Sequence, residues 1–168
     1  MTYAGDGAGS GGRMIYTVTL NPTLDITYVL DEIGFGEPLK ALEVIKSPGG
    51  KGINVSRALR AMGTDSVATG LMGGYVGEEV LDLLQDEGLI LQIVKIKSET
   101  RTNVIILGAR DKRELVIRAS GPPVEKAEAD RITNLIFQIA QAPEILVLSG
   151  SLPPGVSDDI YHEISMEG

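Results

Sequence analysis

The sequence predicts an α/β fold in which helices flank a parallel β-sheet and a small β-sheet forms a lid. Short apolar stretches alternate along the chain with stretches whose apolar residues recur every three or four positions. Other segments partly alternate polar and apolar residues, which is typical of strands with one exposed face. Because strands alternate with helices, we expect the main sheet to be parallel.

The elements of the main sheet follow one another from Met14. Three apolar stretches predict buried strands, at residues 15–20, 67–72 and 145–149. Three amphipathic stretches predict helices, at residues 53–62, 78–87 and 126–141. Gly63 and Gly88 stand where the first two helices are expected to end. Ser157 is placed to cap a last helix.

The remaining segments predict the lid, with its strands within residues 26–47 and 92–118. The segments with a more exposed face are residues 26–30, 42–46, 92–97, 103–107 and 115–118. The polar residues 110–113 predict a hairpin turn between the last two of these strands. We expect these strands to form an antiparallel layer beside the main sheet.

Composition excludes several classes of function. The chain has 168 residues, of which 43% are hydrophobic, so it can form one domain with a substantial core. Its formal net charge of -8 argues against nucleic-acid binding, which requires a basic face. The absence of Cys excludes disulfides and thiolate metal sites. Since no apolar run is long enough to span a bilayer and no secretory signal is evident, we expect a cytoplasmic protein without a membrane partner.

Residues 1–13 are expected to form a flexible, glycine-rich leader that precedes the domain at residues 14–168. Small residues such as these bury too little apolar surface to offset the entropy lost on ordering. Residues 7–12 match the dinucleotide fingerprint GxGxxG. That fingerprint functions between a strand and a helix, whereas here it precedes the first strand, so a dinucleotide-dependent oxidoreductase is disfavoured.

Three loops carry candidate binding residues. The first, TLNPTLD at residues 19–25, follows the carboxyl end of the first strand, where ligands of open α/β sheets bind. Asp25 at its end can accept hydrogen bonds from ligand hydroxyls, although an Asx turn explains the same residues equally well. The third loop, LSGSLPPG at residues 148–155, follows another strand and contains Ser149. By itself it is a loop rich in turn residues.

The second loop, SPGGKGINV at residues 47–55, opens the helix predicted from residue 53. Gly49 and Gly50 allow backbone N–H groups to approach a ligand closely. The helix N-terminus favours an anion, and Lys51 adds a positive charge. The loop departs from the phosphate-binding Walker pattern, because the first glycine and the final Ser or Thr of that pattern are absent. The alternative is a glycine-rich turn with a solvated lysine.

In this order, the motifs TLNPTLD (19–25), GGKGINV (49–55), TRTNV (100–104) and SGSLPPG (149–155) resemble the PfkB, or ribokinase-like, carbohydrate kinase family. The resemblance covers residues 15–155 and is strongest to the phosphosugar branch of 1-phosphofructokinase and tagatose-6-phosphate kinase. It implies a ribokinase-like fold and ATP-dependent phosphorylation of a sugar phosphate, with Mg²⁺ as cofactor. Fructose 1-phosphate is the favoured substrate, while tagatose 6-phosphate and fructose 6-phosphate remain open.

The resemblance implies a sugar pocket formed by residues of the first two motifs. Asp25 is expected to bind sugar hydroxyls. Gly49, Gly50 and Asn54 are expected to line the pocket around the sugar. These roles come from the match of motif positions.

The resemblance also implies a site for the phosphate that the substrate already carries. Lys51 and Arg101 are expected to neutralise this phosphate, with help from Asn103 and Ser149. Arg offers a bidentate fork to phosphate, and Lys offers a compact charge. Without the resemblance, Arg101 would be interpreted as a surface arginine beside Glu99.

The catalytic part of the family pattern is absent from this sequence. Family members carry a GAGD motif whose Asp is the general base, and residues 14–168 contain no such motif. We therefore expect a chain that lacks the C-terminal part of the fold, with no catalytic residue of its own and the base beyond Gly168. His162 has no surrounding cluster of possible ligands, so no metal site is predicted.

Two hypotheses from different classes follow. The first is an ATP-dependent phosphosugar kinase represented here by its substrate-binding half. The second is a non-catalytic module that binds a sugar phosphate. For either, the resemblance implies a homodimer formed through the lid, because a small sheet with an exposed apolar face is unstable alone.

Overall fold

The computed structural model describes residues 14–140 and 145–167. The predicted leader and its glycine fingerprint lie outside the described residues. The described elements are β1 (Ile15–Thr19), β2 (Thr23–Leu30), β3 (Glu43–Gly49), α1 (Lys51–Ala61), β4 (Ser66–Gly73), α2 (Gly74–Asp86), β5 (Ile90–Ile96), β6 (Arg101–Gly108), β7 (Glu114–Ile117), α3 (Lys126–Ala140), β8 (Ile145–Leu148) and α4 (Ile160–Glu167). None of the helices in these ranges is long and apolar enough to cross a membrane.

The main sheet has four strands in the order β5-β4-β1-β8, and every pairing in it is parallel. Helices cover both of its faces, as the neighbouring residues Leu71 and Met72 of β4 illustrate. Leu71 belongs to a buried cluster with residues of α3 and α4, including Ile132 and Ile164. Met72 belongs to a second cluster with residues of α1 and α2. The predicted α/β fold with a parallel sheet between helices is therefore confirmed.

A second sheet of four strands, in the order β3-β2-β6-β7, forms the predicted lid. Its outer pairs are antiparallel, but β2 and β6 run parallel. The expectation of an entirely antiparallel layer is wrong at this central pair. The reason is topological, because β2 follows β1 and β6 follows β5. Since β1 and β5 are both strands of the parallel main sheet, their successors enter the lid in the same direction.

The assignment of residues 92–97 to the lid is also wrong. These residues belong almost entirely to β5, which pairs in parallel with β4 at the edge of the main sheet. Lys95 in this strand is exposed and pairs with Glu78 of α2. An edge strand leaves some of its side chains in solvent, which produces the same alternation of polar and apolar residues as a lid strand.

The last helix, α4, begins three residues after Ser157, which was predicted to cap it. The Ser157 carbonyl accepts a hydrogen bond from the N–H of Ile160 at 3.2 Å. Its hydroxyl oxygen accepts one from the N–H of Asp159 at 3.3 Å. Ser157 therefore stabilises the turn that leads into the helix.

Glu128 connects the first turn of α3 with the end of β5, and it is only 4% exposed. Its carboxylate accepts hydrogen bonds from the N–H groups of Glu125 at 2.9 Å and Lys97 at 2.8 Å. Burial favours the neutral acid, but these N–H groups and the positive charges of Arg131 and Lys97 outweigh it. The pKa of Glu128 is therefore lowered below its ordinary value.

We predict that Glu128→Gln lowers the free energy of unfolding by about 1–3 kcal/mol at pH 7, because an amide NH₂ group replaces a buried acceptor. A group whose folded-state pKa is lowered stabilises the protein above its unfolded-state pKa. The difference in the free energy of unfolding between wild type and variant should therefore shrink as the pH falls below 4.5, the ordinary pKa of a glutamate. Urea denaturation at several pH values measures it, with Asp130→Asn on the exposed side of α3 as control. An equal difference at pH 7 and pH 3 would contradict this assignment.

Candidate functional site

The three candidate loops meet at the carboxyl ends of β1 and β8. The Nδ2 of Asn21 donates a hydrogen bond to the Oγ of Ser151 at 3.2 Å, which joins the first loop to the third. A Cβ atom placed on Gly150 would lie 3.9 Å from the Cβ of Lys51, so the third loop adjoins the second. A Cβ placed on Gly50 would lie 3.6 Å from the Cα of Pro22. We call the region bounded by these three loops the crevice.

Asp25 lies in β2, near the start of the lid, and not in the turn where the sequence placed it. The turn is shorter than expected, because β2 already begins at Thr23. The Oδ1 of Asp25 accepts a hydrogen bond from the Nδ2 of Asn103 at 2.8 Å. The Oδ1 of Asn103 in turn accepts one from the N–H of Ala119 at 3.2 Å. This chain of bonds fixes the orientation of the carboxylate.

The other carboxylate oxygen of Asp25 lies against Gly49. A Cβ on Gly49 would lie 2.6 Å from this Oδ2 and 2.6 Å from the Cγ2 of Thr23, so a larger residue would displace the carboxylate. Among the described residues, Oδ2 has no hydrogen-bond donor. The arrangement therefore presents one fixed acceptor oxygen to a ligand in the crevice.

The helix α1 begins at Lys51, two residues before its predicted start, and Gly50 is its N-cap residue. Gly50 has a φ of 138° and no side chain with which to cap the helix. The Oγ1 of Thr19 accepts a hydrogen bond from the N–H of Ile53 at 2.9 Å. The first turn of α1 contains no acidic residue. The start of α1 is therefore suited to an anionic group of a ligand.

Lys51, Asn54 and Ser149 lie around this helix start. Lys51 and Asn54 are exposed in the first turn of α1, and Ser149 is half-buried directly after β8. Within residues 14–140 and 145–167, the side chain of Lys51 forms no hydrogen bond or ion pair. Its ammonium group is thus available to a ligand.

The guanidinium of Arg101 binds three backbone carbonyls. Its Nη2 donates to the carbonyl of Asn21 at 3.0 Å, and its Nη1 donates to that of Ala119 at 2.8 Å. Its Nε donates to the carbonyl of Pro22 at a longer distance of 3.4 Å. Arg101 therefore connects the turn between β1 and β2 to the segment that leaves β7. Of the five N–H groups of a guanidinium, two remain for other partners.

Arg101 is not a surface arginine paired with Glu99. The Oε1 of Glu99 accepts a hydrogen bond from the N–H of Val76 at 2.6 Å, in the first turn of α2. Burial lowers the pKa of Arg101, the carboxylate of Asp25 opposes this effect, and the positive charge of Arg118 adds to it. An arginine remains charged at neutral pH in spite of such a shift.

The sequence profile described as pfkB family carbohydrate kinase matches residues 18–166. The chain belongs to this family of carbohydrate kinases. A tagatose-6-phosphate kinase from Staphylococcus epidermidis is 34% identical over 151 residues, which are 90% of this chain and 48% of that protein. This pfkB chain thus spans about half the length of the curated relatives it matches.

Solved structures agree with the family assignment. The phosphofructokinase-2 of Escherichia coli, in complex with fructose-6-phosphate, superposes with a TM-score of 0.85 at 31% identity, over 93% of this chain and 52% of that one. A Thermotoga maritima protein described as a possible 1-phosphofructokinase has a TM-score of 0.84 at 33% identity, over 92% of this chain and 50% of that one. A proposed ribokinase from Agrobacterium tumefaciens shares only the fold, with a TM-score of 0.58 at 16% identity. The pfkB chain therefore has a ribokinase-like fold.

Strand register in this pfkB chain reveals residues that its motifs did not indicate. Asp25 pairs with Ser47 of β3 and with Asn103 of β6. Val104 pairs with Ile117, the last residue of the antiparallel β7, and Arg118 follows directly, so a continuation of this register places Arg118 beside Asn103. Because paired residues of neighbouring strands lie on one face of a sheet, Ser47, Asp25 and Asn103 form a polar row across the lid, and Arg118 adjoins the row at the end of β7.

Two further polar groups near the turn were also not predicted. Asn21 is 6% exposed and Thr23 is 3% exposed. The Asn21 Oδ1 and the Thr23 Oγ1 have no hydrogen-bond partner among the described residues. Thr23 pairs in register with both Gly49 and Arg101, so its hydroxyl lies within the same group of site residues. Both oxygens are buried, as are the Thr69 Oγ1 and the Tyr161 hydroxyl, which also have no partner among the described residues.

Proposed function

We propose that the protein phosphorylates a sugar phosphate with ATP, and that fructose 1-phosphate is the substrate, giving fructose 1,6-bisphosphate. The observation that carries this proposal is the pairing of a fixed carboxylate, Asp25, with a helix start that bears a free lysine, Lys51. A carboxylate suits sugar hydroxyls, and a helix start with a lysine suits a phosphate. Tagatose 6-phosphate and fructose 6-phosphate are the alternative substrates. The relatives' names support a sugar phosphate of this class.

In this proposal, Asp25 binds the sugar through its Oδ2, which accepts hydrogen bonds from hydroxyl groups. Asn103 holds the other oxygen at 2.8 Å, so the carboxylate is oriented before the sugar arrives. Such preorganisation lowers the entropy lost on binding. Gly49 and Gly50 leave room for the sugar beside the carboxylate, and Asn54 lines the pocket from α1.

The phosphate that the substrate already carries binds in the proposed pocket beside the start of α1. Lys51 and the start of α1 neutralise it, and the Ser149 hydroxyl donates a hydrogen bond to it. Arg101 contributes the two N–H groups that its carbonyl partners leave free. In phosphoryl transfer, catalysis is mostly positioning and charge stabilisation. The proposed role of this chain is to hold the acceptor sugar in place.

ATP and Mg²⁺ are implied by the family, and ATP supplies the phosphoryl group. Within the described residues, no group of three or more His, Cys, Asp or Glu side chains is placed to hold a metal ion. We therefore assign none of these residues to Mg²⁺ or to the nucleotide, and we assign no general base. We place the activity in the cytoplasm, where ATP and sugar phosphates are available.

We predict that the full-length protein releases ADP with fructose 1-phosphate at a higher kcat/KM than with tagatose 6-phosphate or fructose 6-phosphate. Asp25→Asn should lower kcat/KM by about tenfold to a hundredfold, because the amide cannot accept hydrogen bonds with the strength of a carboxylate. A coupled assay for ADP measures both effects. Asp65→Asn is the matched control, since Asp65 is exposed and its one ion pair among the described residues is with Arg60.

Other outcomes of this assay separate the remaining hypotheses. Binding of a sugar phosphate without ADP release would favour a non-catalytic binding module. Equal kcat/KM values for Asp25→Asn and wild type would show that the carboxylate does not bind the sugar. A preference for tagatose 6-phosphate or fructose 6-phosphate would replace the proposed substrate without changing the reaction class.

We further propose that the protein forms a homodimer through the lid. Both faces of the lid carry exposed apolar side chains, among them Val44, which is 50% exposed, and Ile45, which is 43% exposed. Because successive residues of a strand point to opposite faces, Val44→Glu and Ile45→Glu place one charge on either face. In sedimentation analysis we expect wild type to be a dimer. We expect one of the two variants to dissociate this dimer into monomers, and the variant on the other face serves as its control. A monomeric wild type, or two dimeric variants, would contradict a dimer through the lid.

A further inference from the structure

Arg118 is an exposed arginine without a carboxylate partner in the part of the chain that the structure describes. The other two arginines near the lid hairpin do have such partners. Arg110 pairs with Asp31, and the Nε of Arg113 lies 2.6 Å from the Oδ2 of Asp111. Of these three arginines, Arg118 is the one without a carboxylate partner among the described residues.

The backbone around Arg118 is held at the crevice by two residues of the proposed site. The N–H of Ala119 donates to the Oδ1 of Asn103, and the carbonyl of Ala119 accepts from the Nη1 of Arg101. Both bonds fix the residue directly after Arg118. These two hydrogen bonds at Ala119 therefore hold Arg118 at the end of the polar row.

Arg118 also lies close enough to Arg101 for the two positive charges to interact. A continuation of the register of β6 and β7 past Ile117 places Arg118 beside Asn103, and Arg101 lies two residues before Asn103 in β6. The charge of Arg118 is one cause of the lowered pKa of Arg101. Two neighbouring guanidinium groups repel each other in the absence of an anion, whereas an anion between them would be attracted to both.

Arg101 by itself offers a phosphate a limited set of donors. Three of its contacts are to backbone carbonyls, which leaves two of the five guanidinium N–H groups. All five N–H groups of Arg118 are free of partners within residues 14–140 and 145–167. Arg118 can therefore provide the bidentate fork that phosphate favours and that Arg101 provides only in part.

We propose that Arg118 binds the phosphate group already present on the sugar substrate and so determines the preference for phosphorylated over unphosphorylated sugar. This inference rests on the proposed function of the same site. It adds a residue that none of the sequence motifs contains. The ligand class is a phosphate monoester, which Arg118 contacts from the lid side of the crevice.

The test compares Arg118→Gln with wild type in the full-length protein. Binding of fructose 1-phosphate, tagatose 6-phosphate, fructose 6-phosphate and unphosphorylated fructose is measured by calorimetry. We expect Arg118→Gln to weaken binding of the preferred sugar phosphate by about tenfold or more, because a charge-assisted contact is lost. Binding of unphosphorylated fructose should not change. Arg118→Lys should restore part of the affinity.

Arg110→Gln is the matched control, since it removes the same charge from the lid hairpin without affecting the polar row. A thermal melt of each variant verifies that the fold is intact. If wild type binds a sugar phosphate and Arg118→Gln binds it equally well, the inference is wrong while the proposed function stands. If wild type binds none of the three sugar phosphates, the proposed function and the inference are both wrong. An equal loss for phosphorylated and unphosphorylated sugar would also contradict a role in binding phosphate.

Discussion

The three hydrogen bonds from Arg101 to backbone carbonyls are the constraint on which the rest of the site depends. The chain passes between the lid and the rest of the fold at four places: before β2, after β3, before β6 and after β7. Arg101 starts β6 and binds the carbonyls of Asn21 and Pro22 before β2 and that of Ala119 after β7. Because the acceptors belong to the backbone, the contact fixes the path of the chain and not only the positions of side chains.

This constraint explains why a polar site can persist between two sheets. Hydrogen bonds to a charged donor stabilise by about 1.5–3 kcal/mol each, and partial exposure of Arg101 reduces that value. They hold Ala119 where its N–H orients Asn103, which in turn orients Asp25. Nearby, Asn21 and Thr23 each keep a buried polar atom without a partner among the described residues.

Much of the fold follows from local patterns in the sequence, whereas the predictions that proved wrong depend on tertiary context. The strands β1, β4 and β8 and the helices α1 to α3 follow from apolar runs and helical periodicity, which are local properties. Residues 92–97 alternate like a lid strand, but only the pairing with β4 decides the sheet to which they belong. Asp25 was expected in a turn because the sequence does not show that β2 begins at Thr23. Arg118 carries no local signal, because its place beside Asn103 depends on the register of β6 and β7.

The central claim is that Arg101 fixes the lid to the main sheet and thereby holds the site in place. Hydrogen exchange of Arg101→Lys, measured by mass spectrometry on the full-length protein, tests this claim most directly. Lysine keeps the positive charge, but it lacks the planar guanidinium with which Arg101 binds three carbonyls. We predict exchange at least about tenfold faster in residues 21–25, 101–104 and 118–120, because local opening becomes easier, with α3 unchanged. Unchanged exchange in residues 21–25, 101–104 and 118–120 would contradict the claim.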